Sequence, residues 1–417
     1  MLRLIAVLCF LPLTAFSLIY VPMDDTQANH LKAYGMAYLA LQKGIQVKWL
    51  LNYRGGSFLI MQDDNDIAEW AMLRNISYKF VTENDFAAVK AVIDQGNMNI
   101  VDLEKAPIVA VYAPPWNAPW DDAVTLVLEF AEIPYTRIWD QEVIGGLLTP
   151  ENYDWLHLHH EDFTGQFGKF WFSFASEKWY IEQVSTFQKI ANTLGFANVQ
   201  DEKKAVAVKI RQYVLDGGFL FAMCSAADTL DIALSALDFD MVPAQIDGTP
   251  FDSLWPNKID YSGTLAFENF NILTEPYLYE HSDIDIDQMG ENIYSVPFYF
   301  RLKDFAAKYD VIPTMLVQNH KNLIKGFLGQ ATGFQKSKLK KDITILADIE
   351  NKTWVNYIHG DRGKGTFTYY AGHDPEDYAH QVGDPPTNLD LFPNSPGYRL
   401  ILNNILFPAA KTKKKKT

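Results

Sequence analysis

Short apolar runs alternate with segments of helical period along most of this chain. That alternation constrains the fold more than any other feature. Residues 18–22 are apolar, residues 30–41 carry Leu31, Tyr34, Tyr38 and Leu41 at a helical period, and residues 47–52 are extended again. Arg54-Gly55-Gly56-Ser57 reads as a turn before an extended run at 58–61. Helical patterns at 67–74 and 85–93 flank a strand at 78–81. Such alternation predicts a parallel α/β unit over residues 18–105.

A second series begins at residues 107–112. It continues with a helix at 123–131, strands at 136–139 and 155–159, and helices at 180–194 and 203–215. Gly217-Gly218 stops the last of these, and a strand at 219–223 runs straight into Cys224. Residues 238–345 are interrupted by Pro243, Pro250, Pro256, Pro276, Pro297 and Pro313, and read as an irregular insertion. Order returns at 344–347 and 354–358, then at a strand over 367–371 and a helix over 398–406. The expectation is a larger α/β domain over 106–408, with a basic tail over 409–417.

Both ends carry signals of their own. Residues 1–17 place Arg3 before an apolar run from Leu4 to Leu13 and end on Ala15-Phe16-Ser17. This is the order of an export signal cleaved near Ser17, so a periplasmic location is expected. Without that segment only Cys224 remains of the two cysteines, so no internal disulfide is expected. No other apolar run is long enough to span a bilayer. The net charge of −15 disfavours a nucleic-acid groove. Aromatic residues make up 14% of the chain and supply either core or platforms for sugars and rings.

Four constellations could carry chemistry. A strand delivering Cys224 to a tight turn and a helix is the layout of a nucleophile elbow, with Ala222 and Ala226 as small flanking residues. The helix N-terminus would favour a thiolate, and the Ser225 amide could face an oxyanion. A buried structural cysteine fits the same pattern. Gly372-His373-Asp374-Pro375-Glu376 ends a strand where open α/β sheets hold their sites, so His373 is a candidate base. Glu376, Asp374 and Glu161 are candidate orienting carboxylates, and a turn-capping role for His373 is the alternative.

The third constellation is His157-Leu158-His159-His160-Glu161. His157 and His159 share a strand face, and with Glu161 they could bind a divalent ion or line a pocket without one. The Gly165 amide could be a second oxyanion donor. The fourth joins Asp24 and Asn29 with Asn52 and Arg54, each following a strand. They could hold an anion in a cleft, or serve as caps and a hairpin turn.

Several motifs carry a resemblance. Trp155-Leu156-His157-Leu158-His159, the Cys224 elbow, Gly363-Lys364-Gly365, Tyr369-Tyr370-Ala371-Gly372-His373 and the helix after Asn394-Ser395-Pro396 occur in this order. Over residues 107–408 the chain resembles the trehalose-utilisation (ThuA-like) branch of the class I glutamine amidotransferase-like superfamily. The resemblance implies a flavodoxin-like parallel sheet and a cysteine–histidine pair with a carboxylate. Here alanines replace the glycines around the cysteine, and His373 and Glu376 are one residue further apart than in the superfamily's usual spacing. With Asn29-His30-Leu31-Lys32 and Asn52-Tyr53-Arg54-Gly55-Gly56-Ser57, the whole chain resembles exported bacterial proteins labelled asparagine synthetase B. Leu2 stands where a synthetase's cysteine would, and the Arg54 turn lacks the aspartate of a pyrophosphate loop, so synthetase chemistry is not expected.

The resulting expectation is a Cys-His hydrolase or transferase acting on an amide-type carbonyl of a small molecule or peptide, without a cofactor. A sugar- or peptide-binding module and a metal-assisted hydrolase are the alternatives.

Overall fold

The computed structural model describes residues 17–116, 118–310 and 314–411. The expected signal segment, apart from Ser17, and the end of the basic tail lie outside the described residues. The described residues form a mixed α/β protein built on two large sheets of five and seven strands, with a three-stranded and a two-stranded sheet beside them.

The first sheet contains β1 (Ser17–Val21), β2 (Val47–Leu51), β3 (Ser57–Ile60), β4 (Lys79–Thr82) and β5 (Asn99–Leu103), in the order β4-β1-β3-β2-β5. Every pairing in it is antiparallel, which corrects the parallel unit expected from the sequence. Alternating strand and helix patterns locate elements without saying which strands pair. Here helix α1 (His30–Gln42) carries the chain past one strand position. The turn at Asn52–Gly56 then folds β3 back between β1 and β2.

The second sheet starts with β6 (Val109–Tyr112), β7 (Thr136–Ile138), β8 (Trp155–Leu158) and β9 (Phe219–Met223). Strand Gly365–Tyr370 pairs with β9, so the parallel part runs β7-β6-β8-β9 and then this strand. By chain occurrence that order is second, first, third, fourth, fifth. Strands Tyr357–Arg362 and Thr344–Ile345 extend the sheet antiparallel. The central strands β8 and β9 are buried at every residue, as their apolar runs require when helices cover both faces.

The two sheets share a core. Helix α1 is buried on nearly all sides and packs on helix α4 (Ala123–Ala131) and on helix Pro396–Leu406. Gly35 permits the closest approach, because a Cβ there would lie 1.9 Å from the Ala131 carbonyl oxygen. The fully buried Arg399 reaches back to donate to the Met23 carbonyl at 2.9 Å and to the Tyr34 hydroxyl at 3.0 Å. The first residues assigned to a tail are docked too: Ala410 bridges Leu103, and the Lys411 amide donates to Asp102. No helix among the described residues is long and apolar enough to cross a membrane.

Candidate active site

The carboxyl ends of β6, β8, β9 and strand Gly365–Tyr370 meet along one edge of the parallel sheet. Each delivers chemistry-bearing residues. The loop after β6 brings Asp121 and Asp122, that after β8 brings His159–Glu161, β9 ends on Cys224, and the last strand leads to His373.

Cys224 opens helix Cys224–Ser235 with φ +48, the left-handed conformation of a sharp strand-to-helix turn. Its amide donates to the Gly372 carbonyl at 3.2 Å, which ties the two adjacent strand ends together. Gly372 turns the chain at φ +98, and a Cβ there would lie 2.4 Å from the Phe327 ring. Only glycine fits, and the turn sets His373 beside the cysteine. The Cys224 Sγ and a ring nitrogen from each of His159 and His373 all lie within 4.8 Å of one another.

Asp121 is the carboxylate on the far side of His373. Its Oδ1 lies 3.7 Å from His373 Nε2 and 2.9 Å from His380 Nε2, and the two rings stack at 4.6 Å. Burial alone would lower His373, but Asp121 and Cys224 raise it to about 10. Burial would raise Asp121, but hydrogen bonds from His373 and His380 hold it well below the usual carboxylate range. The arrangement favours an imidazolium at His373 beside the Asp121 carboxylate.

One backbone donor meets the sulfur as well. The Gln330 amide donates to Cys224 Sγ at 3.4 Å. The Ser225 amide, in the first helical turn, lacks a carbonyl four residues back within its helix. The sulfur faces a cleft of about 590 Å³ whose walls include Tyr277, Tyr279, Met289 and Tyr294 from the insertion.

Other sequence candidates take different places. Glu376 does not reach His373. The Asp374 carboxylate accepts from the Glu376 amide at 2.8 Å, and this turn leaves Glu376 in a small cavity with Lys325 and Pro396. Glu161 is also not its partner: one oxygen lies 3.4 Å from His160 Nε2, and the other accepts from the His159 amide. Burial, with the Asp122 charge, raises Glu161 to about 8. His157 and His159 do point the same way, toward Asp122 at 3.1 and 3.4 Å, but Glu161 does not join them. Burial lowers His159 to about 4 and His160 further, so both rings are neutral.

Gly165 packs on Gln200 and lines a neighbouring aromatic cavity with His160, away from the sulfur. The fourth constellation is internally satisfied. Arg54 Nε donates to Asp24 at 2.6 Å, Asn29 caps α1, and Asn52 donates to the Asn97 carbonyl. Sequence reasoning missed Asp121, His380 and Gln330. For Asp121 a signal existed, since Asp121-Asp122 follows β6 at the same sheet edge.

No protein-family model matches the chain, and no curated protein matches it. Among solved structures it is similar to Cytoplasmic Protein STM3548 from Salmonella typhimurium, at 12% identity over 73% of this chain and 100% of that one, with a TM-score of 0.34. Cytoplasmic Protein STM1381 from Salmonella typhimurium LT2 gives 11% identity over 73% of this chain and 99% of that one, with a TM-score of 0.33. The exo-beta-1,4-mannosidase Op5Man5 from Opitutaceae bacterium strain TAV5 gives 11% identity over 64% of this chain and 31% of that one, at 0.28. Likenesses this low carry no argument about the chemistry.

Proposed function

We propose that the chain is a cysteine hydrolase or transferase acting on an amide-type carbonyl. The observation that carries this reading is Cys224 in a left-handed turn at one strand end, with His373 at the next parallel strand end and Asp121 behind it. The strand order of the parallel part is that of flavodoxin-like sheets and supports the amidotransferase-like assignment of residues 107–408. Export to the periplasm belongs to the same reading and rests on residues 1–17 alone.

In the reaction, the Cys224 thiolate attacks the carbonyl carbon and a C–S bond forms. The Ser225 and Gln330 amides face the oxygen that gains charge. The C–N bond then breaks as the His373 imidazolium gives its proton to the leaving nitrogen. Water, deprotonated by His373, attacks the thioester and releases the acid and the thiolate. Asp121 holds the imidazolium in place throughout. An amine in place of water makes the same site a transferase.

A p-nitrophenyl acetate burst tests the reading without a known substrate. The metal-free protein is expected to release one equivalent of p-nitrophenolate rapidly, and Cys224→Ser is expected to release none in the burst. Absence of a burst from the native protein would overturn the proposal.

A further inference from the structure

His159 is a buried imidazole with one ring nitrogen unpartnered. Its Nδ1 lies 3.4 Å from the Asp122 carboxylate, and its Nε2 makes no hydrogen bond. The residue has no solvent exposure. A buried polar nitrogen left unpaired is costly, and a ligand on Nε2 would remove that cost. It faces Cys224 and His373, which also lie at the floor of the open cleft.

We propose that His159, Cys224 and His373 form a binding site for a soft divalent cation, zinc above all, and that occupancy silences the nucleophile. The donor set of one thiolate and two imidazoles suits zinc. Tetrahedral zinc holds such donors about 3.3–3.6 Å apart, as follows from bonds of about 2.0–2.3 Å. The three atoms lie within 4.8 Å of one another, so small side-chain rotations close the set. Asp122 beside His159 and Asp121 beside His373 supply the outer carboxylates that orient zinc-bound histidines. Cys224 and His373 line the cleft, which gives an ion a route to the site.

Two other groupings share these histidines. One is Asp121 with His373 and His380, and the other is Asp122 with His159 and His160. Neither contains sulfur, and neither would mask the thiolate. The silencing rests on the hydrolase reading, whereas the binding does not.

Cobalt(II) replaces zinc spectroscopically and reports its ligands. Added to the metal-free native protein, it is expected to bind one per chain with a thiolate-to-cobalt charge-transfer band. Native mass spectrometry should show one zinc per chain, reduced at least tenfold in occupancy by His159→Ala at equal total zinc. One equivalent of zinc should slow iodoacetamide labelling of Cys224 at least tenfold, with recovery on adding a chelator. Cobalt binding without the charge-transfer band would assign the metal to the carboxylate groupings and overturn the proposal. So would no stoichiometric binding, or unaltered labelling with zinc bound. A protein that binds zinc through sulfur but shows no acyl burst when metal-free would retain the metal site and remove the hydrolase reading.

Discussion

Cys224 holds a backbone conformation that a residue with a Cβ occupies at a cost of about 1–2 kcal/mol. The strain is maintained by the bond to Gly372 and by full packing of the helix that follows. Cys224→Gly removes the strain, whereas Cys224→Ala keeps it and removes only the sulfur. Urea denaturation should therefore find the glycine variant more stable than the alanine variant by about 1 kcal/mol. An alanine variant of equal or greater stability would show an unstrained turn. The cysteine and histidine were legible because each ends an apolar strand in turn residues. The third member was not. Asp121 lies more than 250 residues from His373 in sequence, and its place after β6 is a weaker signal than the nearness of Glu376, which stands closer in the chain but turns away into its own cavity. His159 was legible as a strand-end histidine, but its neighbours became known only when β8 and β9 were seen side by side.

At the scale of elements, periodicity located the long helices and most strands of the two large sheets, because amphipathic spacing is a local property, but not the short elements of the insertion. Pairing is not local. The hairpin of β2 and β3 made the first sheet antiparallel, and β5 escaped notice because residues 99–103 mix Asn and Asp with their apolar residues. Helices also meet through charges that no window of sequence reveals. Glu132, just after α4, accepts from Arg74 at 2.6 Å through both oxygens and from Lys32 of α1 at 3.0 Å. The Arg74 bonds lower its pKa from 4.5 to about 2, against burial that would raise it. A carboxylate lowered in the folded state adds stability above its unfolded pKa and loses it as pH falls through the folded value. The site is part exposed, so after screening Glu132→Gln should cost about 1 kcal/mol at pH 7. The difference from native protein should shrink between about pH 4.5 and pH 2 in urea titrations. A constant difference across that window would assign the loss to packing instead.

Over the whole molecule, the two sheets are joined by buried polar bonds as well as by shared apolar core. Arg399 sits at that joint, with its guanidinium on Met23, Tyr34 and the Gly55 carbonyl and its helix on the second sheet's side. Arg399→Met keeps the length but orphans buried acceptors, and a loss of about 3 kcal/mol is expected. Because the joint couples both sheets, calorimetry should show one transition at lower temperature. Two separate transitions would mean that residues 17–105 unfold as an independent unit. The same joint leaves the carboxyl edge of the parallel sheet open, and there the insertion supplies the walls of the cleft around Cys224. In the proposed chemistry the reactivity of that cysteine depends on His373, which Asp121 holds in place. The most direct test is the rate of iodoacetamide labelling of Cys224 at pH 6, with chelator present. The native protein should label readily, His373→Gln should slow labelling at least about tenfold, and Asp121→Asn should fall between them. Equal rates in the native protein and His373→Gln would contradict the claim.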